Sequence, residues 1–300
     1  MVSSLSINSK RSIRNSLKYL MKAAKFLIYS LICRVIWGRF TDSLTVRTKD
    51  DIKFILHFPE DKGWEYIYHH QSFETGTTDL LRLILRPDDA VFDIGANFGW
   101  YTVFFNRMVA QGQCHAFEPV PWIYDKLKAN CALNNVGDNT FLNQLALGNT
   151  RKVVKLYTFS GECHGLSSIS SQGKESFITS EAQMITVNQY LKENKVDKLN
   201  FIKCDVEGAE LEVLEGATAL FSQHVPPMWL FEANEETSAA FGHRPSDVLA
   251  VLQNTCPYKF YRIKGSWGKF LPMETIHDYE HGDNILCMIP EFHSGRMPKV

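Results

Sequence analysis

The stretch from Ala90 to Thr102, reading Ala-Val-Phe-Asp-Ile-Gly-Ala-Asn-Phe-Gly-Trp-Tyr-Thr, constrains this chain more than any other. Ala90 to Ile94 is a run of strand formers introduced by the turn residues Pro87-Asp88-Asp89. Gly95 and Gly99 follow, and then the apolar start of a helix, Tyr101 to Phe105. Strand, glycine turn and helix in that order open an α/β sheet, and glycine at such a turn lets another group approach the backbone. A dinucleotide fingerprint wants glycine at the first, third and sixth positions of the turn, whereas positions 95, 97 and 100 hold Gly, Asn and Trp. Asp93 would repel a pyrophosphate and suits an amine or a sulfonium. Nicotinamide cofactors are therefore disfavoured.

A second acid refines the ligand. Gln111-Gly112-Gln113 turns the chain into a strand, Cys114 to Phe117, that ends in Glu118. An acid about 20 to 25 residues beyond the glycine turn is placed to accept ribose hydroxyls. Together Asp93, Glu118 and the altered glycines describe an adenosine ligand without pyrophosphate and with a cationic tail. Pro119 and Pro121 start a helix that continues from Trp122 to Leu133, and Thr140 to Leu147 reads as a third strand.

Further on, Lys152 to Phe159 alternates like an extra strand, and 160–174 is a Gly/Ser-rich loop. Asn200 to Cys204 is a buried-type strand closing on Asp205-Val206-Glu207-Gly208-Ala209-Glu210, with a helix expected from there to Phe221. Strands are expected at Met228 to Glu232, Tyr258 to Ile263 and Ile285 to Ile289, with a helix capped by Ser246 or Asp247 between the first two. Upstream, 44–75 reads as a β-rich lead-in, followed by a helix from Thr77 or Thr78 to Leu85. Residues 1–43 form a separate segment before a domain at 44–300, whose catalytic core is expected at 76–290.

Eight of the 32 lysines and arginines fall in residues 1–41, which contain no acid, so the remainder carries about −9. That body is a poor nucleic-acid binder. Within 11–37 the basic residues Arg11, Arg14, Lys18, Lys22 and Lys25 share one helical face, and an apolar stripe lies roughly opposite. The apolar run from Phe26 to Cys33 is short of the roughly 20 residues a membrane span needs. The segment has three readings: docking on the domain, peripheral attachment to an anionic membrane, or a targeting peptide. The seven cysteines show no metal-ligand spacing and read as free thiols, which makes the cytoplasm the expected compartment. No feature of the sequence sets an oligomeric state.

Three blocks resemble the FkbM family of S-adenosylmethionine-dependent methyltransferases: Val91 to Thr102, Ala116-Phe117-Glu118-Pro119, and Ile202 to Ala217. The resemblance spans about residues 75 to 290, and the third block is its most specific part. It implies a Rossmann-like methyltransferase fold, a mostly parallel seven-stranded sheet with helices on both faces. It also implies methyl transfer to a hydroxyl of a saccharide or secondary metabolite. In that reading Asp93, Gly95, Asn97, Gly99 and Thr102 surround the methionine part of S-adenosyl-L-methionine, Glu118 takes the ribose, Gln144 to Ala146 border the adenine, and Asp205 closes the pocket. Trp100 and Cys204 depart from what is commonest at those positions.

An alcohol must lose its proton during methylation, and Asp205, Glu207 and Glu210 are the candidate bases because they follow a strand's carboxyl end. Glu207 and Glu210 would share a face if helical. They could equally complement a helix N-terminus, and acids this close could hold Mg²⁺. Competing readings are a protein or nitrogen acceptor, or an inactive membrane-associated protein of the same fold. The last is opposed by the complete set of acids and glycines.

Overall fold

The computed structural model describes residues 43–57, 67, 70–159, 167–168, 177–264 and 269–297. The amphipathic segment expected at 11–37 and most of the loop 160–174 lie outside them. Among the described residues no helix is long and apolar enough to cross a membrane.

The central sheet has eight strands, β3 (Ala90–Ile94), β4 (Gln113–Phe117), β5 (Thr140–Asn143), β10 (Phe201–Cys204), β11 (Met228–Ala233), β12 (Lys259–Lys264), β13 (Lys269–Pro272) and β14 (Asp283–Met288). Their order is β13-β12-β14-β11-β10-β3-β4-β5. The five strands from β11 to β5 are parallel, and the other three pair antiparallel. The chain runs outward from β3 to β4 and β5, then returns to β10 on the other side of β3. The crevice at the carboxyl ends of β3 and β10 is thus the switch point where open α/β sheets bind ligands.

Side-chain alternation assigns each strand to two cores. Val91, Cys114, Phe201, Leu230 and Leu286 face one core, which also takes α1 (Thr75–Ile84), α2 (Trp100–Met108) and α3 (Pro121–Leu133). Their neighbours Phe92, Phe117, Ile202, Phe231 and Ile285 face the other, with α4 (Val187–Asn194), α5 (Glu210–Glu215) and α7 (Pro245–Thr255). Between α5 and α7 lies the short α6 (Glu235–Ala239). Parallel strands covered on both faces need continuous apolar runs. Asp93 and Lys203 interrupt those runs on the first face, and both are buried.

Three expectations need correction. The sheet has eight strands, because Lys269–Pro272 adds an edge strand beyond β12. The third strand expected at 140–147 is two elements: β5 stops at Asn143, and β6 (Ala146–Leu147) joins a separate sheet with β7 (Lys152–Phe159), β8 (Ser167–Ser168) and β9 (Phe177–Ile185). Its register, Ala146 against Met184 and Leu147 against Ile185, draws the chain away from β4. The helix expected to run to Phe221 ends at Glu215, and a 3₁₀ turn covers Thr218–Ser222.

The lead-in hairpin, β1 (Ser43–Arg47) and β2 (Lys53–His57), is held by Asn130 of α3 and by Asn134, which caps that helix. Asn134 exchanges hydrogen bonds with Lys53, accepting from its N–H at 2.9 Å and donating to its carbonyl at 2.7 Å. Asn130 accepts from the Ile55 N–H at 2.8 Å and donates to the Phe98 carbonyl at 2.9 Å. Four residues of helix rise about 6 Å and two of strand about 6.6 Å, so the pair matches alternate groups along β2. Asn130 is 1% exposed. Asn130→Ala strands both of its backbone partners, and a loss of about 2 kcal/mol is expected. The melting temperature should drop by about 4–8 °C, and an unchanged thermogram would refute this anchoring role.

Candidate active site

The turn after β3 is shaped by its neighbours. The N–H groups of Gly95 and Ala96 both donate to the Phe117 carbonyl, at 3.0 and 2.9 Å, which bends the chain over the end of β4. Gly95 has φ +80, and a Cβ there would stand 1.8 Å from the Asp205 carbonyl oxygen. The missing side chain therefore lets the ends of β3 and β10 meet, a reason different from the ligand approach expected from sequence. Asn97 occupies the left-handed region at φ 52, which asparagine tolerates. Gly99, at φ +97, has Leu127 where a Cβ would point.

Beside this turn lies a cleft open to solvent. On the β5 side its wall is apolar, formed by Phe117, Ile123, Leu145, Ala146, Leu147 and Leu156. Gly95, Ala96 and Asn97 border it at the centre, as does Glu118. On the β10 side stand Lys203, Asp205 and Glu207. An apolar slot, a carboxylate at the centre and acids at the far side suit a flat base, a sugar diol and a cationic tail, in that order.

Glu118 is 5% exposed, and each carboxylate oxygen accepts one backbone N–H, from Val120 at 3.0 Å and Asn97 at 2.9 Å. Burial pushes its pKa up to about 7, while those two bonds hold it down. A lone pair remains on each oxygen, enough for two vicinal hydroxyls. Glu118→Gln removes the charge and leaves one N–H facing an amide donor. Affinity for S-adenosylhomocysteine should drop about 10- to 100-fold by calorimetric titration. Wild-type affinity would remove Glu118 from the ligand site.

Asp93 does not line the cleft. It is 0% exposed, Oδ2 accepts from the Thr102 hydroxyl at 2.6 Å, and Oδ1 has no hydrogen-bond partner. Thr102 is likewise buried beneath the turn. Neither borders the cleft, whereas Lys203, which the sequence reading overlooked, does. Lys203 is paired in register with Asp93 across β10 and β3, so the two side chains share a sheet face. Its Nζ lies 3.0 Å from Asp205 and 4.8 Å from the centre of the Tyr101 ring. Burial alone would lower the Lys203 pKa, but Asp205, Asp93 and Glu74 together raise it above the ordinary lysine value. Its signal was in the sequence: a single charge inside the apolar run Asn200 to Cys204.

The three candidate bases separate. Asp205 and Glu207 border the cleft. Glu210 is 5% exposed and turned inward, where Oε1 accepts from the N–H groups of Val206 and Gly208 at 3.1 and 3.3 Å. It holds the loop and does not reach the cleft. Glu207 is at φ 55, before the helix begins at Glu210, so the two share no helical face. Such left-handed non-glycine residues are costly and collect at functional sites. The loop is clamped from behind: His243 Nε2 donates to the Gly208 carbonyl at 2.9 Å, and a Cβ on Gly208 would meet the Thr237 carbonyl.

Of the remaining expected residues, Ala146 borders the apolar slot, while Gln144 is exposed and outside it, because the strand breaks there. Gly99 and Thr102 support the turn from below. Among the described residues no group of three His, Cys, Asp or Glu side chains could hold a metal ion, so the Mg²⁺ expectation gains no support. The acids are committed elsewhere, Glu210 to backbone N–H groups and Asp205 to Lys203. Trp100, unexpected in the turn, stacks on Phe54 of the lead-in at 5.0 Å and meets the Phe73 ring edge at 5.5 Å.

The family model described as Methyltransferase FkbM domain matches residues 93–260, more than half of the chain. The chain belongs to the FkbM methyltransferase family. Its match runs from Asp93 through Glu118 and the Asp205–Glu210 loop to β12. Similar proteins include Methyltransferase 1 of Beauveria bassiana, 30% identical over 149 residues, or 43% of this chain and 59% of that protein. Hexuronic acid methyltransferase AglP of Haloferax volcanii is 27% identical over 48% of this chain and 57% of its own length. The 31-O-demethyl-FK506 methyltransferase FkbM of Streptomyces tacrolimicus is 24% identical over 44% of this chain and 60% of its own length. The chain thus spans about three-fifths of these relatives. The crystal structure of methyltransferase FkbM from Methylobacillus flagellatus is 16% identical, with a TM-score of 0.44 over 68% of this chain and 44% of that one.

Proposed function

We propose that this FkbM-family chain uses S-adenosyl-L-methionine to methylate a hydroxyl of a saccharide or comparable small molecule. The observation that carries the reading is the cleft at the switch point, which places Glu118 between an apolar slot and the acids Asp205 and Glu207. The relatives' names extend it: one is named for a hexuronic acid and another for 31-O-demethyl-FK506.

Leu145, Ala146 and Leu147 would take the adenine, Glu118 the ribose, and the turn at Gly95 to Asn97 would pass beneath the methionine part. Asp93 acts at one remove, through Lys203. The cofactor, when bound, supplies a methyl group already activated by a sulfonium. The chain's own task is to hold the acceptor oxygen in line at about 3–3.5 Å and to take its proton. Glu207 is the group we assign to that proton. Burial is the largest cause of its raised pKa, followed by the nearby Asp205, Glu232 and Glu210, with Lys203 acting against them. A carboxylate with such a raised value is a stronger base than an exposed one.

Calorimetric titration with S-adenosylhomocysteine tests the cofactor, and absence of binding at high micromolar ligand would overturn the reading. Mass spectrometry of metabolites and glycans from cells with and without the protein tests the acceptor. The expected difference is about 14 Da, one methylene, on a hydroxylated molecule.

A further inference from the structure

We infer that Glu207 and Glu232, held beside Asp205, act as one charge-sensing proton store, emptied by the positive charge of the bound methyl donor and refilled by the acceptor's proton once that charge is gone. The inference rests on the cofactor reading above and adds a role for Glu232, which the sequence places only at the end of a strand.

The sheet register brings the three acids together. Lys203 pairs with Leu230 and Cys204 with Phe231, so Asp205, the next residue, falls opposite Glu232. Glu232 pairs in turn with Asn284 on β14. Asn284 donates to Glu74 at 2.8 Å, and Glu74 also accepts from the Tyr101 hydroxyl at 2.7 Å. A polar row therefore crosses one face of the sheet, from Asp93 and Lys203 to Asp205, Glu232 and Asn284, with Glu74 and Tyr101 above it. Glu207 stands in the cleft wall beside Asp205, and Glu210 lies behind the loop.

The charges in this row do not balance. Lys203 is the one lysine or arginine among the described residues of the cleft wall, and it is bound to Asp205. Asp93, Asp205, Glu74, Glu207 and Glu232 all interact with it. Carboxylates this close cannot all ionise against one ammonium, so some keep their protons. Asp205 is the largest cause raising the Glu232 pKa, to about 8, with burial next and Glu74 and Glu210 adding to it; Lys203 acts against them. Asp93 Oδ1, buried and without a partner, is a second sign that positive charge is wanting here.

A sulfonium entering the cleft supplies that charge and lowers the acids' proton affinity, so a proton leaves to solvent and the carboxylate becomes a base. During transfer the acceptor oxygen forms its bond to the methyl carbon as the carbon–sulfur bond breaks. That electron pair stays on sulfur, which becomes neutral. The acceptor's O–H proton passes to Glu207 and is shared with Glu232 through their common field. With the sulfonium gone, the proton affinity of the acids is restored at the moment a proton needs a place.

The test compares S-adenosylmethionine with S-adenosylhomocysteine, ligands that differ by the charged methyl group. Titration calorimetry at pH 7 without acceptor, in buffers of different ionisation enthalpy, counts protons released. S-adenosylmethionine should release about one proton more than S-adenosylhomocysteine, and its affinity should rise more steeply with pH, the ratio of the two affinities approaching a tenfold change per unit. Glu232→Gln should at least halve the excess. Equal proton counts for the two ligands in the unmodified protein would overturn the store while leaving the cofactor site standing. Failure of both ligands to bind would overturn the cofactor reading and the store with it.

Discussion

Glu207→Gln is expected to lower turnover by about 10²–10⁴-fold while S-adenosylhomocysteine affinity stays within about twofold of the unmodified protein. Gln matches Glu in shape and is no worse at φ 55, so the loop between Asp205 and Glu210 should keep its course. What is lost is a proton acceptor at the edge of the cleft, and the rate loss corresponds to about 2.7–5.5 kcal/mol of transition-state stabilisation. The sign of the pH dependence follows from the base being active when ionised. Burial and the neighbouring acids raise the Glu207 pKa, so the rate should climb as pH rises through that value. The variant's residual rate should lose this limb. Initial rates with radiolabelled S-adenosylmethionine across pH 6–9 are the measurement. A variant that keeps both rate and profile would assign the proton to another group.

The parts of this site legible in the sequence share a property: they depend on short-range order. Asp93 to Gly99 announces a strand and turn, and Glu118 follows at the distance one helix and one strand require. Long-range partners were illegible. The reason for Gly95 is the backbone of Asp205, 110 residues later, which no local pattern contains. Asp93 reads as a ligand contact from sequence, yet it is buried and outside the cleft lining, beside Lys203 on the same sheet face. Glu207 and Glu210 look equivalent at helical spacing, and the distinction arises because the helix starts three residues later than the motif. No glycine or proline interrupts Thr140 to Leu147, yet the chain changes sheets at Gln144, since β9 offers Ala146 and Leu147 a partner. β9 itself, Phe177–Ile185, mixes polar and apolar residues too evenly to announce a buried strand. Glu232 closes an apolar strand as many acids do, and only its place opposite Asp205 and Asn284 gives it significance.

Gly95→Ala should damage the fold more than any other single methyl group added to a described turn bordering the cleft. Two costs act there. Alanine at φ +80 pays about 1–2 kcal/mol for the left-handed backbone alone. Its Cβ would also stand 1.8 Å from the Asp205 carbonyl oxygen and 2.8 Å from the carbonyl carbon, and neither is the movable end of a side chain. Asp205 is held in place by its own N–H, which donates to the Ile94 carbonyl at 3.0 Å. Relief requires the ends of β3 and β10 to separate, which opens the core between them. A total loss of about 4 kcal/mol or more is expected, among the larger effects of single substitutions. The melting temperature should fall by roughly 8–16 °C. Gly242→Ala isolates the first cost, since Gly242 has φ +81 and nothing within 4 Å of an added Cβ. Its loss should stay near 1–2 kcal/mol, or about 2–8 °C. If the two variants melt together, the approach of Asp205 to Gly95 is not what the glycine is for. If Gly95→Ala melts far lower, the glycine serves the meeting of two strands, and the ligand uses a turn whose shape those strands already require.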